Sequence, residues 1–344
     1  MGVILLNCCS FCKKIDILES KAFSFFYFVK YMSIKTAEFV SPGHPDKICD
    51  FIADSILDAY LEGDKESRVA VEVMGGHGLI TVNGEVTSKT KPDIESVVKK
   101  IVGENYKVVI NLSKQSPSIA RGVDTGGAGD QGIMKGYATS ETESMMPREY
   151  ELARNLCMKI YEKYPYDGKV QVTLEGDKVK TVVASFQNSR NKELLPFVKN
   201  IIQAEEYLIN PAGEWTMGGF DADAGLSGRK LVVDSYGPEM PVGGGSFSGK
   251  DYTKVDRSGA YIARKIAVDC IRSDKAKEVF VKLAYAIGKP EPVMAMAILD
   301  GKETKIEGYD LTPKGIKDAL NLENVKFSET ARWGHFGRGF NWDK

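Results

Sequence analysis

Pairs of short, alternating apolar strands joined by glycine turns, each accompanied by amphipathic helices, recur about three times along the chain and restrict the folds open to it. In the first copy residues 68–73 and 79–87 flank a turn at 75–78, which predicts a hairpin, followed by a short helix over 94–101 and a strand over 108–112. The second has a helix over 149–163, strands at 170–174 and through Ser185 around a Gly176-Asp177 turn, and a helix over 194–202. In the third, Arg229-Lys230 opens a strand, 258–271 and 313–320 read as helices, and 282–287 and 293–299 as strands. Such alternation favours several small α+β units over one doubly wound sheet.

A chain of 344 residues, 43% hydrophobic, is long enough for two or three packed units. Its formal net charge of −1 argues against nucleic-acid binding, so basic residues gathered in short loops should serve small anionic ligands. No apolar run approaches the ~20 residues that cross a bilayer, which speaks against a membrane partner. Residues 1–31 are apolar and aromatic, unlike the rest of the chain; they are expected to be an N-terminal extension outside the fold, with Met32 as the natural start. Cys8, Cys9 and Cys12 have no second pair or histidine nearby and suit incidental thiols better than zinc; a reducing cytoplasm is the simplest setting.

The chemistry concentrates in glycine-rich loops. Residues 243–256, GGGSFSGKDYTKVD, join a glycine run to Lys250, Lys254, Asp251 and Asp256. Glycines let backbone N–H groups close on phosphate oxygens, lysines add point charge, and either aspartate can hold magnesium. A P-loop is excluded, because Asp251 stands where a metal-binding hydroxyl is needed and no strand runs into the first glycine. Upstream, GHPDK (43–47) is a tight turn into a helix with Ile48, Ile52, Ile56, Leu57 and Tyr60 on one face, presenting His44, Asp46 and Lys47 at a helix N-terminus. Glu72 and Glu85 lie within strands, where each either faces water or holds a cation or ammonium group. Gly127, Gly129 and Gly132 satisfy GxGxxG but neither follow a strand nor open a helix, which excludes a dinucleotide fingerprint. Residues 115–124 suit a mobile lid, with Asp130 in an ordered turn behind it.

Taken together these stretches resemble the methionine adenosyltransferases, or S-adenosylmethionine synthetases. The resemblance covers nearly everything after Met32, through GHPDK (43–47), KQSP (114–117), GAGDQG (127–132), GLSGRK (225–230), GGGSFSGKD (243–251), KVDRS (254–258) and GHFGR (334–338). It implies an α+β fold of three similar subdomains about a pseudo-threefold axis, expected here at 32–114, 125–217 and 218–344, with the active-site loop at 115–124. It also implies a homodimer or homotetramer with active sites between subunits, two magnesium ions per site, and potassium.

The implied reaction makes S-adenosyl-L-methionine from L-methionine, ATP and water. Sulfur attacks the ribose 5′ carbon, and the departing tripolyphosphate is cut to pyrophosphate and phosphate. A neutral thioether is already a nucleophile, so the difficulty is the leaving group, which calls for preorganised cations and N–H donors. His44, Lys169, Arg229, Lys230 and Lys250 are the candidates. By resemblance Asp46 and Asp256 go to magnesium and Glu72 to potassium; Glu85, Gln115, Asp130, Asp223 and Lys254 to methionine; and Asp167, Gly168, Lys169, Glu214, Trp215, Asp223 and Ser246 join the cations at ATP, with Trp215 as a stacking face for adenine. The family usually has Phe at Trp215, Ala at Ser246 and an acidic residue at Pro42, and its loops near 103–112, after Gln115 and near 301–311 are longer. A triphosphate-hydrolysing enzyme and a non-catalytic binding paralogue are the competing readings.

Overall fold

The computed structural model describes residues 34–115, 126–273 and 275–344. Both the extension expected at 1–31 and, apart from Gln115, the lid expected over 115–124 lie outside the described residues.

One order of elements occurs twice and a variant of it a third time. The first repeat runs β1 (Ile34–Val40), α1 (Pro45–Gly63), β2 (Arg68–Gly76), β3 (Leu79–Thr87), α2 (Ile94–Val102) and β4 (Lys107–Ser113). The second runs β5 (Gly132–Thr139), α3 (Arg148–Lys163), β6 (Gly168–Glu175), β7 (Lys178–Phe186), α4 (Asn191–Ile201) and β8 (Glu206–Ile209). In the third, β9 (Gly225–Leu226) and the single turn α5 (Leu231–Asp234) precede α6 (Val255–Arg272), then β10 (Glu278–Tyr285), β11 (Met294–Leu299), β12 (Lys302–Lys305) and α7 (Pro313–Leu320).

Each repeat builds a four-stranded sheet from its own hairpin, one further strand of its own and one strand from a neighbour. The sheet orders are β4-β3-β2-β9, β1-β6-β7-β8 and β12-β11-β10-β5. The first strand of repeat one thus pairs with β6 of repeat two, that of repeat two with β10 of repeat three, and that of repeat three with β2 of repeat one. This cyclic exchange is the threefold pattern of the fold, and all three sheets share one continuous apolar core. In each unit the long helix covers the sheet and a shorter helix packs against it: α1 with α2, α3 with α4, α6 with α7.

Local chemistry explains the element ends that matter here. His44 is extended (φ −67°, ψ 137°) and its Nδ1 accepts the Asp46 N–H, while Pro45 occupies a first-turn position where a missing N–H leaves nothing unpaired. The Gly176 turn of the second hairpin has φ +59°, a conformation that favours glycine.

Three expectations change. Residues after Arg229-Lys230 form the turn α5, not a strand: the Asp234 N–H bonds the Lys230 carbonyl at 2.8 Å, and Asp234 is drawn inward to the buried Lys47 ammonium. The first strand of the third hairpin begins four residues before Lys282, at Glu278, because it must span β5 (Glu278↔Thr139 to Tyr285↔Gly132). The exchanged strands β1, β5 and β9 had no local signature. Among the described residues, no helix is long and apolar enough to cross a membrane.

Helix α6 lies so close to β5 that a Cβ on Gly136 would overlap the Ala263 backbone. Gly136→Ala should therefore destabilise the chain by about 1–3 kcal/mol, as overpacking does. Denaturant unfolding measures it; an unchanged midpoint would show that α6 can retreat freely.

Candidate active site

The candidate residues assemble into two groups that adjoin along the 243–250 loop. In the first, the GHPDK turn is clamped onto the start of β6. Ser41 N–H donates to the Gly168 carbonyl at 2.9 Å, Ser41 Oγ to the Tyr166 carbonyl at 2.8 Å, and Val40 pairs with Lys169. A Cβ on Gly43 would lie 2.6 Å from the Tyr166 carbonyl carbon, so only glycine permits this approach. His44 and Asp46 are thereby placed beside Asp167, Gly168 and Lys169.

From the other side Gly225 fits against the α1 N-terminus, where a Cβ would overlap the Pro45 carbonyl. That brings in the GLSGRK loop, and Asp46 becomes its anchor: Oδ1 accepts the Leu226 N–H at 2.9 Å and meets Arg229 Nε at 2.9 Å, and Oδ2 meets Lys230 Nζ at 2.5 Å. Burial alone would raise the Asp46 carboxyl; Lys230, the Leu226 N–H and Arg229 outweigh it and hold it below the usual range. Asp167 accepts the Gly219 N–H at 3.0 Å, and burial pushes its carboxyl up. Glu214 accepts the Asn191 N–H at 2.7 Å, the Trp215 ring abuts Gly218, and Asp223 bonds the Ala224 N–H. Lys169 reaches Glu38 at 3.5 Å.

The second group lines a cavity of about 150 Å³ that includes Glu85, Gln115, Asp130, Lys250, Lys254 and Asp256. Its floor is the 249–254 segment, fastened to the free edge of β2. Val71 N–H donates to the Gly249 carbonyl at 3.1 Å, Asp251 N–H to the Val69 carbonyl at 3.1 Å, and Val69 N–H to Asp251 Oδ2 at 2.6 Å. Lys250 Nζ meets Asp256 at 2.6 Å and Lys254 Nζ meets Asp251 at 2.5 Å. Gln115 is buried, and its Oε1 has no hydrogen-bond partner among the described residues, so it is available to a ligand.

The glycine loop runs between the groups. A Cβ on Gly245 would overlap the Asp256 carboxylate, while Ser246 Cβ lies 2.8 Å from where a Cβ on Gly228 would stand. Glu72, exposed on β2, accepts from Ser227 Oγ at 2.8 Å, and that hydroxyl also accepts the Val73 N–H at 2.9 Å. Ser227 escaped the sequence reading; it sits inside GLSGRK, with nothing local to mark it.

Lys47 departs from expectation. Instead of facing a ligand it is buried between Asp50 (3.1 Å) and Asp234 (2.5 Å), which keep it charged against the cost of burial. Burial, reinforced by Asp50, pushes the Asp234 carboxyl up to about 7 even beside that ammonium.

For metals, no group of three or more His, Cys, Asp or Glu side chains is disposed to hold an ion among the described residues. Asp46 and Asp256 are nonetheless hard oxygen donors of the kind that magnesium takes singly, with phosphates and water completing its shell, once Arg229 and Lys230 turn from Asp46, and Lys250 from Asp256, towards the phosphates. Glu72 beside the Ser227 hydroxyl is likewise an oxygen donor suited to potassium.

His44 is uncharged. Burial, then Lys230, lower its pKa to about 4, and Lys169 adds to the effect; with Nδ1 accepting from Asp46 N–H, the proton resides on Nε2. Its 3.9 Å approach to the Asp46 carboxylate is therefore not an ion pair at neutral pH. In the ligand-free protein, histidine hydrogen–deuterium exchange followed by mass spectrometry should give His44 a midpoint near 4; one near 6.5 would contradict the assignment. The unfolded state binds the extra proton first, so His44 lowers stability as pH falls from about 6.5 towards 4, and His44→Asn should flatten that part of the melting-temperature curve.

The sequence pattern of the S-adenosylmethionine synthetase N-terminal domain matches residues 32–120, that of the central domain 125–215, and that of the C-terminal domain 217–344. The S-adenosylmethionine synthase of Thermus thermophilus is 40% identical over 382 residues, covering 92% of this chain and 97% of the relative. That of Fusobacterium nucleatum subsp. nucleatum is 40% identical over 361 residues, covering 90% and 94%.

Proposed function

The chain belongs to the S-adenosylmethionine synthetase family, and from that premise we propose that it joins L-methionine to the adenosyl group of ATP by direct sulfur attack, with hydrolysis of the tripolyphosphate before release. The observation that carries this reading is that one glycine loop runs between a group of His44, Lys169, Arg229 and Lys230 around the GHPDK turn and a polar cavity of amino-acid size bordered by Lys250.

The sulfur lone pair forms the bond to C5′ as the C5′–O bond breaks, and its electrons leave with the tripolyphosphate. Arg229, Lys230, Lys250 and Lys169 offset that charge, and His44 donates its Nε2–H. Asp46 and Asp256 would hold magnesium and Glu72 potassium, ions that supply further positive charge beside the phosphates. In the cavity Glu85 and Asp130 suit the methionine ammonium and Lys254 its carboxylate, while Asp167, Gly168, Glu214, Trp215, Asp223 and Ser246 suit the nucleoside. Water then attacks the bound tripolyphosphate, giving pyrophosphate and phosphate.

We place the active site between subunits of a homodimer, or a dimer of such dimers. Among the described residues no hydrogen bond or ion pair joins side chains of the first group to those of the second. The outer face of the β4-β3-β2-β9 sheet, opposite α1, carries the row Leu226, Met74, Thr81 and Val109, with Met74 56% exposed. Glu72 and Glu85 stand on the same face. A second copy covering it would bury that row and supply the complementary group. The thiols of Cys49, Cys157 and Cys270 are free, which suits the cytoplasm.

Incubation with ATP, methionine, magnesium and potassium should yield the sulfonium product by mass, with one pyrophosphate and one phosphate each; equal ATP consumption without methionine would favour a triphosphate hydrolase. Lys250→Ala should lower turnover by about two to three orders of magnitude, the scale of one lost transition-state charge contact, and normal turnover would remove Lys250 from that role. Met74→Arg should give monomers by sedimentation and abolish turnover; an active monomer would overturn the shared site.

A further inference from the structure

Two glycines, each immediately before a phosphate-facing cation, are held in the same way by α1. Gly228, before Arg229, has φ +78° and donates its N–H to Asp50 Oδ1 at 2.8 Å. Gly249, before Lys250, has φ +83° and donates its N–H to Asp54 Oδ1 at 2.8 Å. Asp50 and Asp54 are one turn apart on α1, are almost wholly buried, and do not line the cavity that holds Lys250.

Each carboxylate has a buried cation beside it. Asp50 is paired at 3.1 Å with Lys47, which it shares with Asp234. Asp54 receives both terminal nitrogens of Arg257, Nη1 at 2.7 Å and Nη2 at 2.8 Å. Arg257 Nη1 also donates to the Lys250 carbonyl at 2.9 Å. Asp54 and Arg257 therefore grip the Gly249-Lys250 segment from both ends, where a Cβ on Gly249 would overlap the Val71 carbonyl. Buried ion pairs are seldom a better source of stability than apolar packing, so stability alone does not account for two in successive turns of one helix. A fixed origin for two long cationic side chains does.

We infer that Asp50 and Asp54, with Lys47 and Arg257 as their counter-ions, are positioning residues that set Arg229 and Lys250 for the leaving triphosphate. The inference rests on the assignment of Arg229 and Lys250 as phosphate-neutralising cations. A cation displaced by a fraction of an ångström from the developing charge loses much of its effect.

The test is a pair of mutant cycles on the full-length chain. Asp54→Asn with Arg257→Gln, which leaves no unpaired buried charge, should lower kcat about tenfold to a hundredfold with the methionine KM changed less than about threefold. In a Lys250→Ala background the same pair should change kcat by less than about threefold. Asp50→Asn is read the same way against Arg229→Ala. Equal factors in both backgrounds would mean a merely structural role and overturn the inference. Should the double variant not fold, Arg257→Lys keeps the charge but cannot fork between Asp54 and the Lys250 carbonyl; full kcat in that variant also overturns it. Backbone hydrogen exchange decides independently of turnover: peptides covering 243–254 should exchange at least about tenfold faster in Arg257→Lys while α6 beyond Ile262 is unchanged, and uniform acceleration or none counts against positioning. A parent chain that makes no sulfonium product would instead refute the proposed reaction, leaving the exchange result to judge the positioning.

Discussion

The structure depends on a stripe of four aspartates spaced four residues apart along α1, each accepting backbone N–H groups from a distant segment. Asp46 takes Leu226, Asp50 takes Gly228, Asp54 takes Gly249, and Asp58 takes Phe327 and Ser328, all between 2.8 and 3.0 Å. Like charges one turn apart on a helix repel, and buried ones are costly unless answered. Arg229 and Lys230 answer Asp46, Lys47 answers Asp50, and Arg257 answers Asp54. Removing one partner of such a pair typically costs about 3–5 kcal/mol, so the third repeat is held to the first by interactions that leave little tolerance.

The cyclic exchange of strands gives that stripe its setting. Because β9 belongs to the third repeat yet pairs with β2, the residues that follow it, Ser227 to Lys230, emerge along the α1 N-terminus. Lys250, bridged to Ala70 on the same edge of β2, brings the second cationic loop to the next stretch of that strand. Likewise β1 pairs with β6, which carries the GHPDK turn to Asp167 and Lys169. Each exchange delivers a loop to a neighbouring unit, and the two groups of polar residues lie where those deliveries meet.

Charge is already arranged before any ligand binds. Arg229 and Lys230 rest on Asp46, Lys250 on Asp256, and Lys254 on Asp251. In the ligand-free chain each of these cations is thus held in place by a carboxylate. His44 belongs to the same arrangement: burial and two neighbouring lysines keep it neutral, so it adds nothing to the repulsion among the cations.

The amino-acid sequence by itself determined the hairpins, the apolar face of α1, the glycine-rich loops and the chemical inventory of the site, because these follow from period, turn chemistry and side-chain type within a few residues. It also contained the four-residue spacing of Asp46, Asp50, Asp54 and Asp58, although spacing alone does not reveal whether a carboxylate faces water or a buried N–H. Only the tertiary structure decided that β1, β5 and β9 leave their own repeats, that Lys47 turns inward while Lys250 borders the cavity, and that residues 231–234 coil instead of extending. Those outcomes depend on partners more than a hundred residues away, such as Ala37 with Val172, Met74 with Leu226, or Lys47 with Asp234. Strand pairing and the neutralisation of buried charge are set by what the rest of the chain brings alongside, and no local pattern records it.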